Sequence, residues 1–265
     1  MLVVQAAGWT TNAQAPNLDA LIDDVREVLR REYAAPVRFT YLEHSRDIDI
    51  STFGKVSVGP LRTFEVYPTP TGDPWKRLIA VEGKSLDPTE LARRDAEHQK
   101  DVRKQLAESP RQKAQRARRE EEETRDREAI LDDAKSVYEI GFVNRETVDG
   151  QPVIVVSLTP RPNARVTTRE GNWMKQFAGR MWIAQADHSI ARLKLHAVDD
   201  VSIGWGVVAR LEPGSGFDYI RKRVGGAWLP SELTVQASGR TLLFRRFDVK
   251  AITTYTGHQP LTPEH

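Results

Sequence analysis

The chain has no cysteine, no long apolar run and no excess of one charge. Without cysteine, its 265 residues can form no structural disulfide, no Cys-ligated zinc site and no thiol nucleophile, which leaves the compartment unassigned. No apolar run approaches the roughly 18 residues that span a bilayer, so no transmembrane segment is expected. A net charge of +2 gives no broad basic or acidic field of the kind that gathers nucleic acid or anionic membrane. Catalytic and phosphate-binding signatures are missing too: there is no G-x-S-x-G elbow, P-loop, H-E-x-x-H or dinucleotide-binding glycine fingerprint. No cofactor is implied, and the chain is expected not to be an enzyme.

Glycine is absent from Asp87 to Lys135, and beyond Pro88 the only proline there is Pro110. Charge fills the space instead, with 27 of these 49 residues being Asp, Glu, Lys or Arg, 14 acidic and 13 basic. The large apolar residues are Leu91, Val102, Leu106, Ile130 and Leu131, too few for a sustained heptad. Ala, Arg, Lys, Gln and Glu make a strong helix-forming composition. Asp87 is a suitable N-cap with Pro88 in the first helical position, and Ser109-Pro110 divides the stretch into two arms. It reads either as a rod that binds a protein partner or, with more weight, as a solvated surface helix.

On either side the language is that of strands and turns. Asn17 is a good N-cap for a helix in which Leu18, Leu21, Ile22, Val25, Val28 and Leu29 form one apolar stripe. Strand-like runs follow at 37–50, 56–67 and 78–81. After Lys135 they resume at 137–144, 153–158, 180–184, 190–197, 201–209, 217–223, 233–237 and 242–253, with a short irregular or helical piece at 165–177. Turn signals such as Asp149-Gly150 and Gly225-Gly226 join them without intervening helices, which argues for an antiparallel meander. The fold class expected is α+β: a single domain over 17–265, a curved open antiparallel β-barrel with an N-terminal helix, interrupted by the charged helical insertion at 87–135. Residues 1–16, with small-x-small pairs at Val4-Gln5-Ala6 and Ala13-Gln14-Ala15, read equally as the remnant of a secretory signal or as a disordered start.

Candidate chemistry is sparse. The six histidines are His44, His98, His188, His196, His258 and His265, with no two at metal-ligand spacing. His188 beside Asp187 is the best acid–base candidate, but Asp187-His188-Ser189 sits where a hairpin turn is expected, and the turn is the preferred reading. Asp199-Asp200 lacks the further oxygens that a hard cation needs, so no metal site is assigned. Basic clusters at 161–169, 221–223 and 240–246, interleaved with Trp173, Phe177, Phe244 and Phe247, are read as solvent faces of strands rather than a nucleic-acid groove.

Several strands carry apolar residues on both faces. Ile154, Val156 and Leu158 oppose Val153 and Val155; Leu193 and Leu195 oppose Ile190; Val201, Ile203, Trp205 and Val207 share a face. One side can pack on the N-terminal helix while the other lines a cavity, or both can be filled by packing. The residue pattern leaves these two alternatives open.

Glu146-Thr147-Val148-Asp149-Gly150-Gln151-Pro152-Val153-Ile154-Val155-Val156 resembles a strand pair of LolA-like proteins. Gly179-Arg180-Met181-Trp182-Ile183-Ala184-Gln185-Ala186-Asp187 with Ile190-Ala191-Arg192-Leu193 is similar to their G-x-hydrophobic-W-I-D hairpin. Gly226-Ala227-Trp228-Leu229-Pro230 is similar to a third recurring piece. With the N-terminal helix, the likeness spans most of the chain outside 87–135, and bacterial outer-membrane lipoprotein-sorting-like proteins carry comparable charged insertions. Ala184 departs from the Asp frequent in the family, and the long insertion is absent from its well-studied carriers. The resemblance implies a periplasmic protein of the bacterial envelope that binds acyl chains or a lipidated protein, without catalysis, as in lipoprotein transport to the outer membrane. The lining expected is Phe39, Tyr41, Met181, Ile183, Leu193, Leu195, Ile203 and Trp205. The alternative is a protein-interaction or envelope-sensor module acting through the charged arm.

Overall fold

The stripe of the N-terminal helix is built as its spacing predicts. In the computed structural model, which describes residues 16–34, 39–51, 55–69, 74–203, 209–241 and 245–261, α1 runs Leu18–Ala34. Asn17 Oδ1 accepts from the Ala20 backbone N–H at 3.3 Å, which satisfies one of the orphan donors of the first turn. Leu21, Val25 and Val28 are buried. Residues 1–15, 204–208 and 242–244 lie outside the described residues, and with them the signal reading, Trp205, Val207 and Phe244.

The strands follow in two groups. Before the insertion come β1 (Phe39–Ser45), β2 (Ile48–Ile50), β3 (Val56–Val58), β4 (Arg62–Tyr67), β5 (Trp75–Val81) and β6 (Lys84–Ser85). The insertion is α2 (Pro88–Leu106) and α3 (Pro110–Val137). Then come β7 (Tyr138–Val148), β8 (Gln151–Pro160), a short α4 (Arg169–Met174), β9 (Phe177–Ala184) and β10 (Ile190–Ala197). The chain closes with β11 (Val201–Ile203), β12 (Ala209–Leu211), β13 (Gly216–Val224), β14 (Ala227–Thr241) and β15 (Arg246–Pro260). The expected runs 37–50 and 56–67 are each split, the second at Gly59-Pro60, where Pro60 cannot donate to a ladder. The Asp149-Gly150 and Gly225-Gly226 turns both hold two residues at positive φ, 49° and 70°, then 56° and 85°, the geometry that suits the twist of a two-residue hairpin.

All pairing between strands is antiparallel, and the main sheet runs β6-β5-β4-β1-β15-β14-β13-β10-β9-β8-β7, curved but with its two ends unpaired to each other. It is an open sheet rather than a closed barrel. β6 stands at one end and β7 at the other, so α2 and α3 form the connection that carries the chain from one free edge to the opposite one.

The two faces of the sheet are buried unequally. Ile154, Val156, Leu158, Met181 and Ile183 join α1 residues Leu21 and Val25 in the main cluster; this is the inner face. Val153, Val155, Trp182, Ala184, Ala191 and Trp228 form a smaller cluster on the outer face. Ile190 corrects the expected alternation. It packs with Leu193 and Leu195 on the inner face, because a register shift between Ile190 and Arg192 turns it by one position, as a bulge does.

The charged stretch is not simply a solvated surface helix. α2 leans on the outer face of β5, where the Arg77 guanidinium grips Asp95 at 2.7 and 2.8 Å and Trp75 stacks on His98 at 3.8 Å. α3 starts with a capping box in which Ser109 and Gln112 satisfy each other's backbone N–H groups. Its C-terminal third returns to the inner face antiparallel to α1. There Lys135 meets Asp23 at 2.5 Å, Arg26 pairs with Asp132, and Arg30 takes Glu128 at 2.7 Å. The steps from 23 to 26 to 30 on one helix mirror those from 135 to 132 to 128 on the other.

Asp133 fixes this end of α3. It is 4% exposed and accepts from the backbone N–H groups of Thr167 and Thr168 and from both hydroxyls. Thr168 in turn caps α4 through Gly171 N–H at 2.9 Å. A Cβ at Gly171 would overlap the Asp133 carboxylate. Burial pushes the Asp133 carboxyl up, but the hydrogen bonds from Thr168 and Thr167 outweigh it and hold the group below 3.8. Replacing Asp133 by Ala is expected to lower unfolding free energy by about 3 kcal/mol, through the four donors left unpaired, as read by urea denaturation at pH 7. Because the folded pKa is depressed, the carboxylate's contribution is complete above 3.8 and is lost as pH falls through the folded value. The gap between wild type and Asp133→Ala should therefore narrow in acid.

Candidate functional site

Between the inner face, α1 and the end of α3 lies a partly open cavity of ≈ 630 Å³, within the range of roughly 300–1,000 Å³ typical of small-molecule sites. α1 contributes Leu18, Ile22, Val25 and Leu29, one stripe at helical spacing. α3 contributes Ile130, Leu131 and Ala134, which its three ion pairs to α1 hold in place. The sheet supplies Tyr138, Ile140, Leu158, Met181, Ile190, Leu193, Leu195 and Tyr219, and Met174 of α4 closes one side. The lining is aliphatic for most of its extent, so the cavity favours apolar matter over water.

Charged groups ring this space, and the basic ones are committed to partners. Arg221 donates to Glu32 of α1 at 2.9 Å, to the Ile190 carbonyl at 3.1 Å and to the Trp228 carbonyl at 2.5 Å. Arg161 donates to the carbonyls of Lys135 and Ser136 at 3.0 and 2.9 Å, capping the end of α3. Arg26 and Lys135 belong to the ion pairs with Asp132 and Asp23. The Tyr138 phenol, buried at the floor, is pushed up to about 12 by burial, and its O–H donates to the Met174 carbonyl at 3.2 Å.

Of the eight residues expected to line a site, Met181, Leu193 and Leu195 border the cavity. Ile183 lies just behind them, fully packed at 0% exposure. Tyr41 and Phe39 stand on the same inner face four strands beyond β10, through β13, β14 and β15 to β1. Ile203 ends β11 in register with Ala209, and Trp205 is outside the described residues. His188 is a turn residue with φ 58°. Its Nδ1 faces Asp24 of α1 at 3.2 Å, while Asp187 pairs with Arg223 at 3.1 Å, so the adjacent pair makes no catalytic dyad. On the outer face a second groove of ≈ 400 Å³ is polar, lined by Arg180, Trp182, Arg192, Lys194 and His196 among others.

Sequence reasoning missed the helical wall. The α1 stripe was legible as an apolar face, but its role as cavity wall was not. Ile130, Leu131 and Ala134 sit in a segment dominated by charge. The signal was present in the charges themselves, whose order on α3 complements that of α1 in reverse.

No family model matches the chain, and no curated protein matches it. Among solved structures it is similar to a DUF1329 family protein from Desulfovibrio piger, at 8% identity and TM-score 0.33, covering 95% of this chain and 96% of that one. It is similar to a putative outer membrane lipoprotein-sorting protein domain from Vibrio parahaemolyticus, at 9% identity and TM-score 0.32, covering 94% and 95%. A LolA superfamily protein from Nitrosomonas europaea is similar at 8% identity and TM-score 0.27, covering 95% and 96%. The superfamily that the strand motifs resemble is thus represented among them. Likenesses at these scores carry nothing about what this chain binds.

A wall residue already lacks neighbours on its cavity side, so truncating it removes fewer contacts than truncating a packed one. Leu193→Ala is expected to cost about 2 kcal/mol and Ile183→Ala about 4 kcal/mol. Urea denaturation of protein refolded after organic extraction checks the order.

Proposed function

We propose that the protein is a non-catalytic carrier of the bacterial periplasm that holds acyl chains in the cavity between α1, α3 and the inner face of the sheet. The observation that carries this reading is the aliphatic lining of a ≈ 630 Å³ cavity whose basic neighbours are already paired. An acyl chain entering it exchanges water for side chains, at about 25 cal/mol per Å² of apolar surface buried. Nothing in the lining offers a nucleophile with a base in reach, which favours binding over turnover. A lipidated protein presents the same chains, so a role in lipoprotein sorting is the finer form of the proposal. No helix among the described residues is long and apolar enough to cross a membrane.

A second reading has its own support. Residues 110–126 of α3 bury nothing and stand as a charged helix available to a protein partner. The carrier reading requires only the C-terminal third of α3, so the two readings separate experimentally.

Protein exported to the periplasm of a bacterial host is expected to yield stoichiometric acyl lipid on organic extraction and mass spectrometry. Leu193→Asp, which places a charge on the wall, is expected to fold and to release a clean extract. A clean extract from the wild type, together with no uptake of a fluorescent fatty acid, would sink the carrier reading. Replacing 99–126 by a short linker should leave lipid content unchanged.

A further inference from the structure

Past Tyr219 the inner face changes character. The register carries this face from Tyr219 to Leu233, from Leu233 to Thr253, and, two residues on, from Tyr255 to Glu43. Tyr41 is next along β1. The Tyr41 and Tyr255 rings meet edge to face with centroids 5.9 Å apart, and His258 stacks on Tyr41 at 5.4 Å. Tyr219 also borders the acyl cavity, so the aromatic patch adjoins the aliphatic one.

The polar atoms of this patch are unequally satisfied. Glu43 is 6% exposed; its carboxylate takes Lys76 Nζ at 2.7 Å and accepts from Ser45 Oγ at 3.2 Å. The hydroxyls of Tyr41, Tyr219 and Tyr255 bond to no other group among the described residues and are not among the buried unpartnered atoms, so they reach solvent. Burial pushes all three phenols up, so each remains a neutral O–H donor at physiological pH. Of the three, Tyr219 lines the cavity and Tyr41 and Tyr255 lie beyond it on the same face; a ligand carbonyl can replace the water on such half-buried phenols.

Resting on the carrier reading, we propose that Tyr41, Tyr219 and Tyr255 form a polar end of the cavity that donates hydrogen bonds to the carbonyl group of an ester- or amide-linked acyl chain. Two features select a neutral carbonyl over a free carboxylate. Lys76, the cation beside this floor, is already taken by Glu43 at 2.7 Å and is not free for a second carboxylate. Arg221, two residues beyond Tyr219, is already bonded to Glu32 and two backbone carbonyls. The ligand class is therefore an acyl ester or amide, with its chain under α1 and its linkage against the phenols.

The test compares wild type with Tyr41→Phe/Tyr219→Phe/Tyr255→Phe, which removes three hydroxyls and keeps the rings. Binding of the apolar fluorophore 1-N-phenylnaphthylamine reads the aliphatic cavity; its displacement by monomyristoylglycerol reads the linkage. The triple variant is expected to hold the fluorophore within about twofold of wild type and to bind the monoglyceride about tenfold more weakly, the loss expected for hydrogen bonds of this kind. Should the triple variant fold poorly, Tyr219→Phe alone is expected to weaken the monoglyceride about threefold with the fluorophore unchanged. Equal weakening of both ligands, or of neither, overturns the assignment and leaves the carrier reading standing. A wild type that binds neither ligand overturns both.

Discussion

The inner face of the sheet is apolar from β7 to β10 and must be covered, and in this chain two antiparallel helices cover it. α1 brings an aliphatic stripe, α3 brings three aliphatic residues, and three ion pairs set one helix against the other. The pairs lie at the margin of the contact, where exposed charges add little stability but do fix alignment. Sliding α3 by one turn against α1 would set Asp23 against Asp132 in one direction or Arg26 against Lys135 in the other, while one Arg–carboxylate pair would re-form. The Asp23–Lys135 pair thus biases the register while the aliphatic contacts supply the drive.

That cover depends on the connection between the sheet's free edges. The chain leaves β6 at one edge and must re-enter at β7 on the other. Two helices make that passage, and the second delivers its C-terminal residues onto the inner face just before β7 begins. Asp133 stands at the junction and ties α3 to the 167–168 backbone and so to α4. The structural role of the charged segment is concentrated in its last third. Its outer part buries no side chain between residues 110 and 126, so it is free to vary in sequence or to serve a partner without disturbing the cavity.

The inner face also divides by chemistry along the sheet. On β7–β10 it is aliphatic and sits under the helices. On β13, β15 and β1 it becomes phenolic, with a buried carboxylate and a lysine. A face with an apolar end and a hydrogen-bonding end suits an amphiphile held lengthwise better than a pure hydrocarbon. The outer groove, polar and basic, is separated from it by the thickness of the sheet.

Much of this was determined by the sequence alone. Strand alternation placed Ile154, Val156 and Leu158 opposite Val153 and Val155, since side chains alternate with a period of two whatever the strand pairs with. Asn17, Asp87 and Ser109-Pro110 marked helix starts, because capping is a local exchange between a side chain and the next few backbone N–H groups. Met181, Leu193 and Leu195 were legible as one face of their strands for the same reason of period. Ile190 was not, because one irregular pairing reverses a side chain's face and is settled between strands rather than within one. The tertiary structure alone decided that Ile130, Leu131 and Ala134 face a cavity and that Tyr41, Tyr219 and Tyr255 share a floor. Those residues are separated by tens to hundreds of positions, and what brings them together is the order of strands in the sheet and the ion-pair register between helices. No local pattern in the chain encodes either.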